Sequence, residues 1–403
     1  MKSLIPLILV LTACTTVPSQ MAPQSARVAL AFDLNGERGA RAEGLADPAT
    51  GRVVTPDDPV RIASISKMAV AIGVMRLVEQ GRLKLDADVT DTLGWPLRNP
   101  AFPGQPITLR QLLSHTSSVR DHDDQYVIPL GGSLKAVMAE ANSWDPEHGP
   151  TSRYFAYSNL NFPLVASVME KATGERFDQL MKRLVIDPLG LKACFNWAAC
   201  SDDRVASAVV LMQDGKPVRD DLGGKRPPCP VFAEEGDACD LTRWRAGDNG
   251  ALFSPQGGLR ISARDLARIG RMLLGNGRID GVQILTPQSV ATMIGPDWSF
   301  DGANGSRSDE SETICSYGLA VHHLATRLPG CADDPEGKGR RWIGHSGDAY
   351  GMRSGLWIDR QRGVGIVYYV TGLPDDPPPG RSAFGAAEEG AFRDSVRLLE
   401  ARH

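Results

Sequence analysis

Arg61-Ile62-Ala63-Ser64-Ile65-Ser66-Lys67-Met68 opens a largely apolar run that ends at Gly81. On a helix, residues three apart such as Ser64 and Lys67 share a face, with about 5–6 Å between Cβ atoms. A serine hydroxyl is a poor nucleophile until a neighbour takes its proton. A lysine one turn away can take it, or share the task, if burial lowers the lysine's pKa. From Ala71 the apolar positions Val74, Met75 and Val78 follow the i, i+3, i+4, i+7 pattern of an amphipathic helix. Little is polar before Arg76, so the spacing predicts a deeply buried helix with Ser64 in its first turn. There the positive end of the helix dipole favours an anionic intermediate. Standing alone, S-x-x-K fits an ordinary helix start equally well, and the rest of the chain has to decide.

Upstream, Val28 to Leu34 alternates weakly and meets Asn35-Gly36, the strongest short hairpin signal, with a return strand through Arg41 to Leu45. Strands therefore precede the Ser64 helix, without a Rossmann-like βαβ order. Downstream, Thr108-Leu109-Arg110-Gln111 fits a capping box, and helical segments follow at 133–141, 164–171 and 177–184, the last two separated by Gly174. Residues 201–248 read as irregular. Ser262 caps a helix carrying Leu266, Ile269, Gly270 and Leu273 on one face. The polar segment 304–312 reads as an exposed loop. Strand character returns at 317–321, 341–344, 355–358 and 364–370, before a terminal helix over 388–401. Strands at both ends with helices between predict an α+β fold: a mixed, mainly antiparallel sheet flanked by helices. Its parts are expected from about 28–82 and 250–403, with a helical subdomain at about 83–249. Clefts between such parts are where ligands bind.

The chain has 403 residues, enough for a large core, and a formal net charge of -4. That balance lacks the basic patch a nucleic-acid reading requires, and the expected partner is a small-molecule or short-peptide substrate. Met1-Lys2-Ser3 leads into the apolar run Leu4 to Leu11, too short to span a bilayer, so residues 1–13 read as a signal peptide. Leu11-Thr12-Ala13-Cys14 resembles a bacterial lipobox, which makes Cys14 the lipidated first residue of the mature chain. Residues 14–27 then form a tether, and Thr15 is similar to the residue that sends lipoproteins to the outer membrane. An exported, membrane-anchored protein facing the periplasm is the expectation. With Cys14 set aside, Cys194, Cys200, Cys229, Cys239, Cys315 and Cys331 remain, an even number that suggests disulfides. Nearest-neighbour pairing among them staples three separate loops. No C-x-x-C pair or His-Cys cluster appears, so neither a metal nor a cofactor is expected.

Two further motifs complete the pattern. Tyr157-Ser158-Asn159 lies in the middle third, and His345-Ser346-Gly347-Asp348 on the strand side. S-x-x-K, Y-x-N and H-x-G each occur once and in that order. Together they resemble the serine β-lactamase and penicillin-binding-protein superfamily, in its tyrosine-bearing class C group with esterase and D-peptidase relatives. Leu112-Leu113-Ser114-His115-Thr116-Ser117 is similar to a further family segment, with Ser118 where the family has glycine. Asp187-Pro188-Leu189-Gly190-Leu191 and Gln256-Gly257-Gly258-Leu259 also match. The resemblance covers nearly everything from Val28 onward and implies a β-lactamase/transpeptidase-like fold.

The residues themselves suggest the chemistry. Ser64 attacks a carbonyl and forms an acyl-enzyme. Lys67 and Tyr157 move its proton, since a cation eases ionisation of a nearby phenol. Asn159 holds Lys67 or donates to the substrate. The Ser64 N–H and, by resemblance, that of Asp348 hold the oxyanion. His345, Ser346, Gly347 and Asp348 are expected along the substrate. Asp121-His122-Asp123-Asp124 with His115 reads as a solvated loop rather than a metal cluster, because consecutive residues converge poorly on one ion. No G-x-S-x-G elbow surrounds any serine, which argues against an α/β-hydrolase. The expected activity is a serine hydrolase of a small ester, D-amino-acid peptide or β-lactam. Esterase or D-peptidase leads, because His345 stands where β-lactamases commonly carry a permanently charged lysine. The alternatives are a true class C-like β-lactamase and a penicillin- or cell-wall-binding lipoprotein with little turnover.

Overall fold

The computed structural model describes residues 25–123, 125–234, 236–306 and 313–401, so the leader and Cys14 lie outside the described residues. The tether was expected to extend to Arg27, but Ser25 and Ala26 are buried. The Ala26 N–H donates to Thr371 Oγ1 at 2.9 Å, which ties the entering chain to the sheet. Strand β1 (Arg27–Asp33) follows and turns into β2 (Gly36–Glu43). Asp33 Oδ1 accepts from the N–H groups of Asn35 (2.7 Å) and Gly36 (3.2 Å), so the side chain satisfies the turn. Three short strands, β3 (Val60–Arg61), β4 (Cys194–Phe195) and β5 (Leu259–Ile261), form a small sheet with β5 in the middle.

The large sheet takes its other strands from the C-terminal part. They are β6 (Trp298–Ser299), β7 (Ser316–Tyr317), β8 (His322–Leu324), β9 (Trp342–Ala349), β10 (Met352–Asp359) and β11 (Val364–Val370). Their order is β6-β7-β8-β9-β10-β11-β1-β2, and every pairing in this sheet is antiparallel. This is the mainly antiparallel sheet expected, with β1 entering against β11 and Arg27 opposite Val370. The strand expected at 317–321 is split into β7 and β8, with Ala320 at φ +57 between them. Strand β9 is longer than the 341–344 expected and runs through the whole third motif.

Five helices matter for the site: α1 (Ser66–Glu79), α2 (Leu109–Leu113), α3 (Asn161–Thr173), α4 (Ala263–Leu274) and α5 (Ala386–Glu400). Strand alternation sends Ile366 and Tyr368 of β11 to a cluster with Phe392 and Val396 of α5. Val367 and Tyr369 point the other way, into the main core with Leu266 and Ile269 of α4. Phe32 seats α4 on the sheet: a Cβ at Gly270 or Gly365 would lie 2.4 or 2.1 Å from its ring. Burying a side chain of that size contributes about 1.5–3 kcal/mol. Helix α1 is buried nearly all round, from Ser66 through Met75 and again at Leu77, as a helix apolar on every face must be. The capping box at Thr108 forms with Gln111, and α3 stops at Gly174 in the left-handed conformation. Residues 83–249 are not purely helical, for they include β4 and a hairpin of Leu211–Gln213 with Lys216–Arg219. Cys194–Cys200, Cys229–Cys239 and Cys315–Cys331 are bonded, the nearest-neighbour pairing.

Candidate active site

Ser64 was expected in the first turn of a helix and instead sits one short turn earlier. Ala63–Ile65 is a 3-10 turn that runs into α1. Ala63 takes φ +48, a left-handed conformation that costs a non-glycine residue roughly 1–2 kcal/mol. The turn leaves Ser64 half-exposed while Lys67 is fully buried. Lys67 Nζ donates to Ser64 Oγ at 2.8 Å, to Asn159 Oδ1 at 2.8 Å and to the Gln256 carbonyl at 3.0 Å. Three acceptors match the three N–H groups of an ammonium. The ring centre of Tyr157 lies 4.8 Å from the same nitrogen. Residues from three distant parts of the sequence thus converge on one nitrogen.

The Tyr157–Asn159 loop is held by residues that its sequence did not advertise. Asp121 accepts from Ser158 Oγ (2.8 Å) and from the N–H groups of Asn159 (2.6 Å) and Leu160 (2.9 Å). This corrects the reading of Asp121 as part of a solvated loop: a carboxylate with three donors is a clamp. His115 stacks on Tyr157 with ring centres 4.3 Å apart, and its Nδ1 accepts from the Ser158 N–H at 3.1 Å. Burial and the nearby Lys67 hold His115 well below the usual histidine range, so the ring is neutral. Ser118, where the resemblance has glycine, adopts φ +66, which explains that preference. Its hydroxyl accepts from Asn99 Nδ2 at 3.1 Å.

Strand β9 brings the third motif against the nucleophile's turn. A Cβ at Gly347 would stand 2.3 Å from the Ile62 carbonyl, so only glycine admits this approach. Of β9, strand β8 pairs with Trp342–Gly344, and among the described residues no strand pairs with His345 to Ala349 on that side. His345 was expected at a strand start facing the substrate; it lies mid-strand, 1% exposed. Its Nδ1 donates to the Ser346 carbonyl at 2.5 Å, so Nε2 accepts from the Tyr317 hydroxyl at 2.8 Å. Burial, with Lys67 nearby, draws its pKa down to about 3, so it carries no charge at neutral pH.

A cavity of about 680 Å³ is lined by Ser64, Tyr157, His345, Ser346, Gly347 and Asp348, among others. Its lining also includes Arg353 and Glu388, together with the exposed Asp375 and Asp376. Arg353 pairs with Asp348, while Arg341 is exposed and does not line the cavity. Glu388 is buried and accepts from the Tyr368 hydroxyl at 3.0 Å. Burial pushes its carboxyl up to about 8. Among the described residues no group of three or more His, Cys, Asp or Glu could hold a metal ion.

The chain is similar to proteins already known. The chain is 27% identical to penicillin-binding protein 4 of Amycolatopsis lactamdurans, over 66% of this chain and 64% of that protein. It is 31% identical to esterase EstB of Burkholderia gladioli, over 57% and 60%. The chain thus spans under two thirds of the length of these relatives. A class C β-lactamase from Rhodobacter sphaeroides superposes with TM-score 0.65 at 17% identity, covering 93% of this chain and 95% of that one. A D-stereospecific amidohydrolase from Streptomyces gives 0.60 at 21%, covering 92% and 93%. These two share the fold. A family model described as Beta-lactamase matches residues 20–390, nearly the whole length, and the chain therefore belongs to the Beta-lactamase family.

Proposed function

We propose that this protein is an exported hydrolase that cleaves a small ester or the amide of a D-amino-acid peptide through an acyl-serine. The observation that carries the reading is Lys67 Nζ at 2.8 Å from both Ser64 Oγ and Asn159 Oδ1, beside Tyr157 and at the mouth of a cavity. In the proposed sequence Ser64 Oγ attacks the carbonyl, and its proton passes to the Lys67–Tyr157 pair and on to the leaving group. The N–H groups of Ser64 and Asp348 hold the oxyanion, and water releases the acyl group by the same route. Because Asn159 Oδ1 is committed to Lys67, its Nδ2 is the group offered to the substrate. The third motif supports a neutral ester or amide over a β-lactam or any substrate that places a carboxylate there: His345 is neutral, and Arg353 is committed to Asp348. Neither offers a substrate carboxylate a free cation.

A fluorophosphonate probe should label the wild type at Ser64 and leave Ser64→Ala unlabelled; labelling that persists removes Ser64 as nucleophile. A panel of short-chain esters, D-Ala-D-Ala peptides and a cephalosporin assigns the substrate class, and a preference for the cephalosporin defeats the reading. A stoichiometric burst without turnover would identify a binder instead. Export draws support from the three disulfides, since such bonds persist in oxidising compartments, and lipidation at Cys14 from the lipobox-like Leu11-Thr12-Ala13-Cys14. If Cys14→Ser leaves membrane association unchanged, with no lipid on the purified peptide, lipidation fails.

A further inference from the structure

A second cavity, of about 500 Å³, is lined by Arg61, Arg219, Asp220, Gln256, Arg260 and Tyr350, among others. It adjoins the catalytic group through Gln256, whose carbonyl accepts from Lys67 at 3.0 Å. Arg61 and Arg260 are register partners across β3 and β5, so their side chains leave the small sheet on one face. Arg260 is fully served. It donates to Asp220 Oδ2 (3.2 Å) and Oδ1 (2.9 Å), to Asn196 Oδ1 (2.6 Å) and to the Gly258 carbonyl (2.8 Å).

Arg61 is not served in this way. It is 6% exposed, and its Nε and Nη1 have no hydrogen-bond partner. Its guanidinium lies 5.1 Å from the ring centre of Tyr350, and that of Arg219 lies 5.4 Å from the same ring. Asp220 is spent on Arg260 and on Trp197 Nε1, which donates to it at 2.9 Å. Asp221 stands on the exposed rim. Burial, together with Arg260 and Arg219 nearby, draws Arg61 down to about 9, so it is still a cation at neutral pH. A buried charge without an acceptor is costly in a finished structure. Gln256 repeats the pattern: it is 6% exposed and its Oε1 has no partner. The groups left over in this cavity are therefore a planar cation and a side-chain amide, the amide on the residue whose carbonyl accepts from the proposed catalytic lysine.

We propose that the Arg61 cavity is a carboxylate subsite for the acyl portion of the substrate. The carboxylate supplies the acceptors that Arg61 lacks, and Gln256 takes an adjacent N–H of the ligand. The assignment of this carboxylate to the acyl portion rests on the serine-hydrolase reading, whereas carboxylate binding itself does not.

The test uses the full chain. Glutarate titrated into Ser64→Ala in a calorimeter is expected to bind, and to bind at least tenfold more weakly when Arg61→Met is added. Absence of binding at about 20 mM glutarate, or equal binding by both proteins, overturns the subsite. Glutaramide, the neutral diamide, is a control that does not depend on the Arg61 variant folding; binding equal to that of glutarate overturns the carboxylate assignment. In the active enzyme, p-nitrophenyl hemiesters of succinate, glutarate and adipate are compared with neutral esters of equal length. The ratio of kcat/KM, anionic over neutral, is expected to fall about tenfold or more in Arg61→Met. An unmoved ratio overturns the acyl placement. If no ester turns over, the hydrolase reading suffers and the calorimetry alone decides carboxylate binding.

Discussion

One cavity is lined by Ser64 and the other by Gln256, whose carbonyl accepts from Lys67, and they differ in which charged groups lack a partner. On the third-motif side the histidines are neutral, Arg353 is tied to Asp348, and the buried Glu388 lines the cavity together with the exposed Asp375 and Asp376. On the Gln256 side the one buried acid, Asp220, is tied to Arg260, and Arg61 is left without an acceptor. One side is short of cations and the other short of anions. A substrate that threads both would place a carboxylate by Arg61 and a neutral or cationic portion by the third motif. A family name alone does not contain this polarity, because it depends on which arginine each carboxylate has already bound.

The largest effect should follow from breaking the balance in the Arg61 cavity. Asp220→Asn leaves Arg260, 1% exposed at its side chain, beside Arg61 with no carboxylate between them. Removing one partner of a buried pair costs about 3–5 kcal/mol. Urea denaturation at neutral pH should show a loss of that order without a change in m. A loss under about 1 kcal/mol would mean that solvent already screens these arginines, and the contrast between the cavities would collapse.

Glu388 tests the acidic side. Burial raises its carboxyl from the ordinary 4.5 to about 8, so the native state holds a proton that the unfolded state has given up. Its contribution to stability is greatest below about 4.5 and falls as pH rises to about 8. Glu388→Gln keeps an acceptor for Tyr368 and does not ionise. The difference in unfolding free energy, mutant minus wild type, should therefore rise between pH 5 and 9, by a few kcal/mol at most. Parallel curves would show that Glu388 is hydrated and that the cavity wall does not hold a buried protonated acid.

A smaller effect is expected from His345→Lys, which places a cation where the neutral imidazole stands. The ratio of kcat/KM for carboxylate-bearing β-lactams over neutral esters should rise about tenfold, or ~1.4 kcal/mol in transition-state binding. A wild type that already prefers the β-lactam, or a ratio that does not move, would erase the proposed difference between the two sides.

The sequence carried the features that local chemistry dictates. The turn at Asn35-Gly36, the caps at Thr108 and Ser262, the stop at Gly174 and the all-round burial of α1 were readable because each depends on residues within one or two turns. The spacing of Ser64 and Lys67 was readable for the same reason, and the order of the three motifs identified the family. What sequence distance concealed was the support around them. Asp121 is 37 residues from the hydroxyl it holds, and Gln256 is 189 from the ammonium it accepts. His345 looked like a substrate-facing strand start, and only the Tyr317 hydroxyl opposite it fixed it as a buried acceptor. Whether Arg61 or Arg260 takes Asp220 is likewise beyond any local pattern, because register partners of the same residue type are distinguished only by a distant segment of chain that reaches them. Short-range hydrogen bonding and periodicity therefore determined the elements and the motif. The leftover charges that propose a substrate were decided only when the tertiary structure paired each acid with its base.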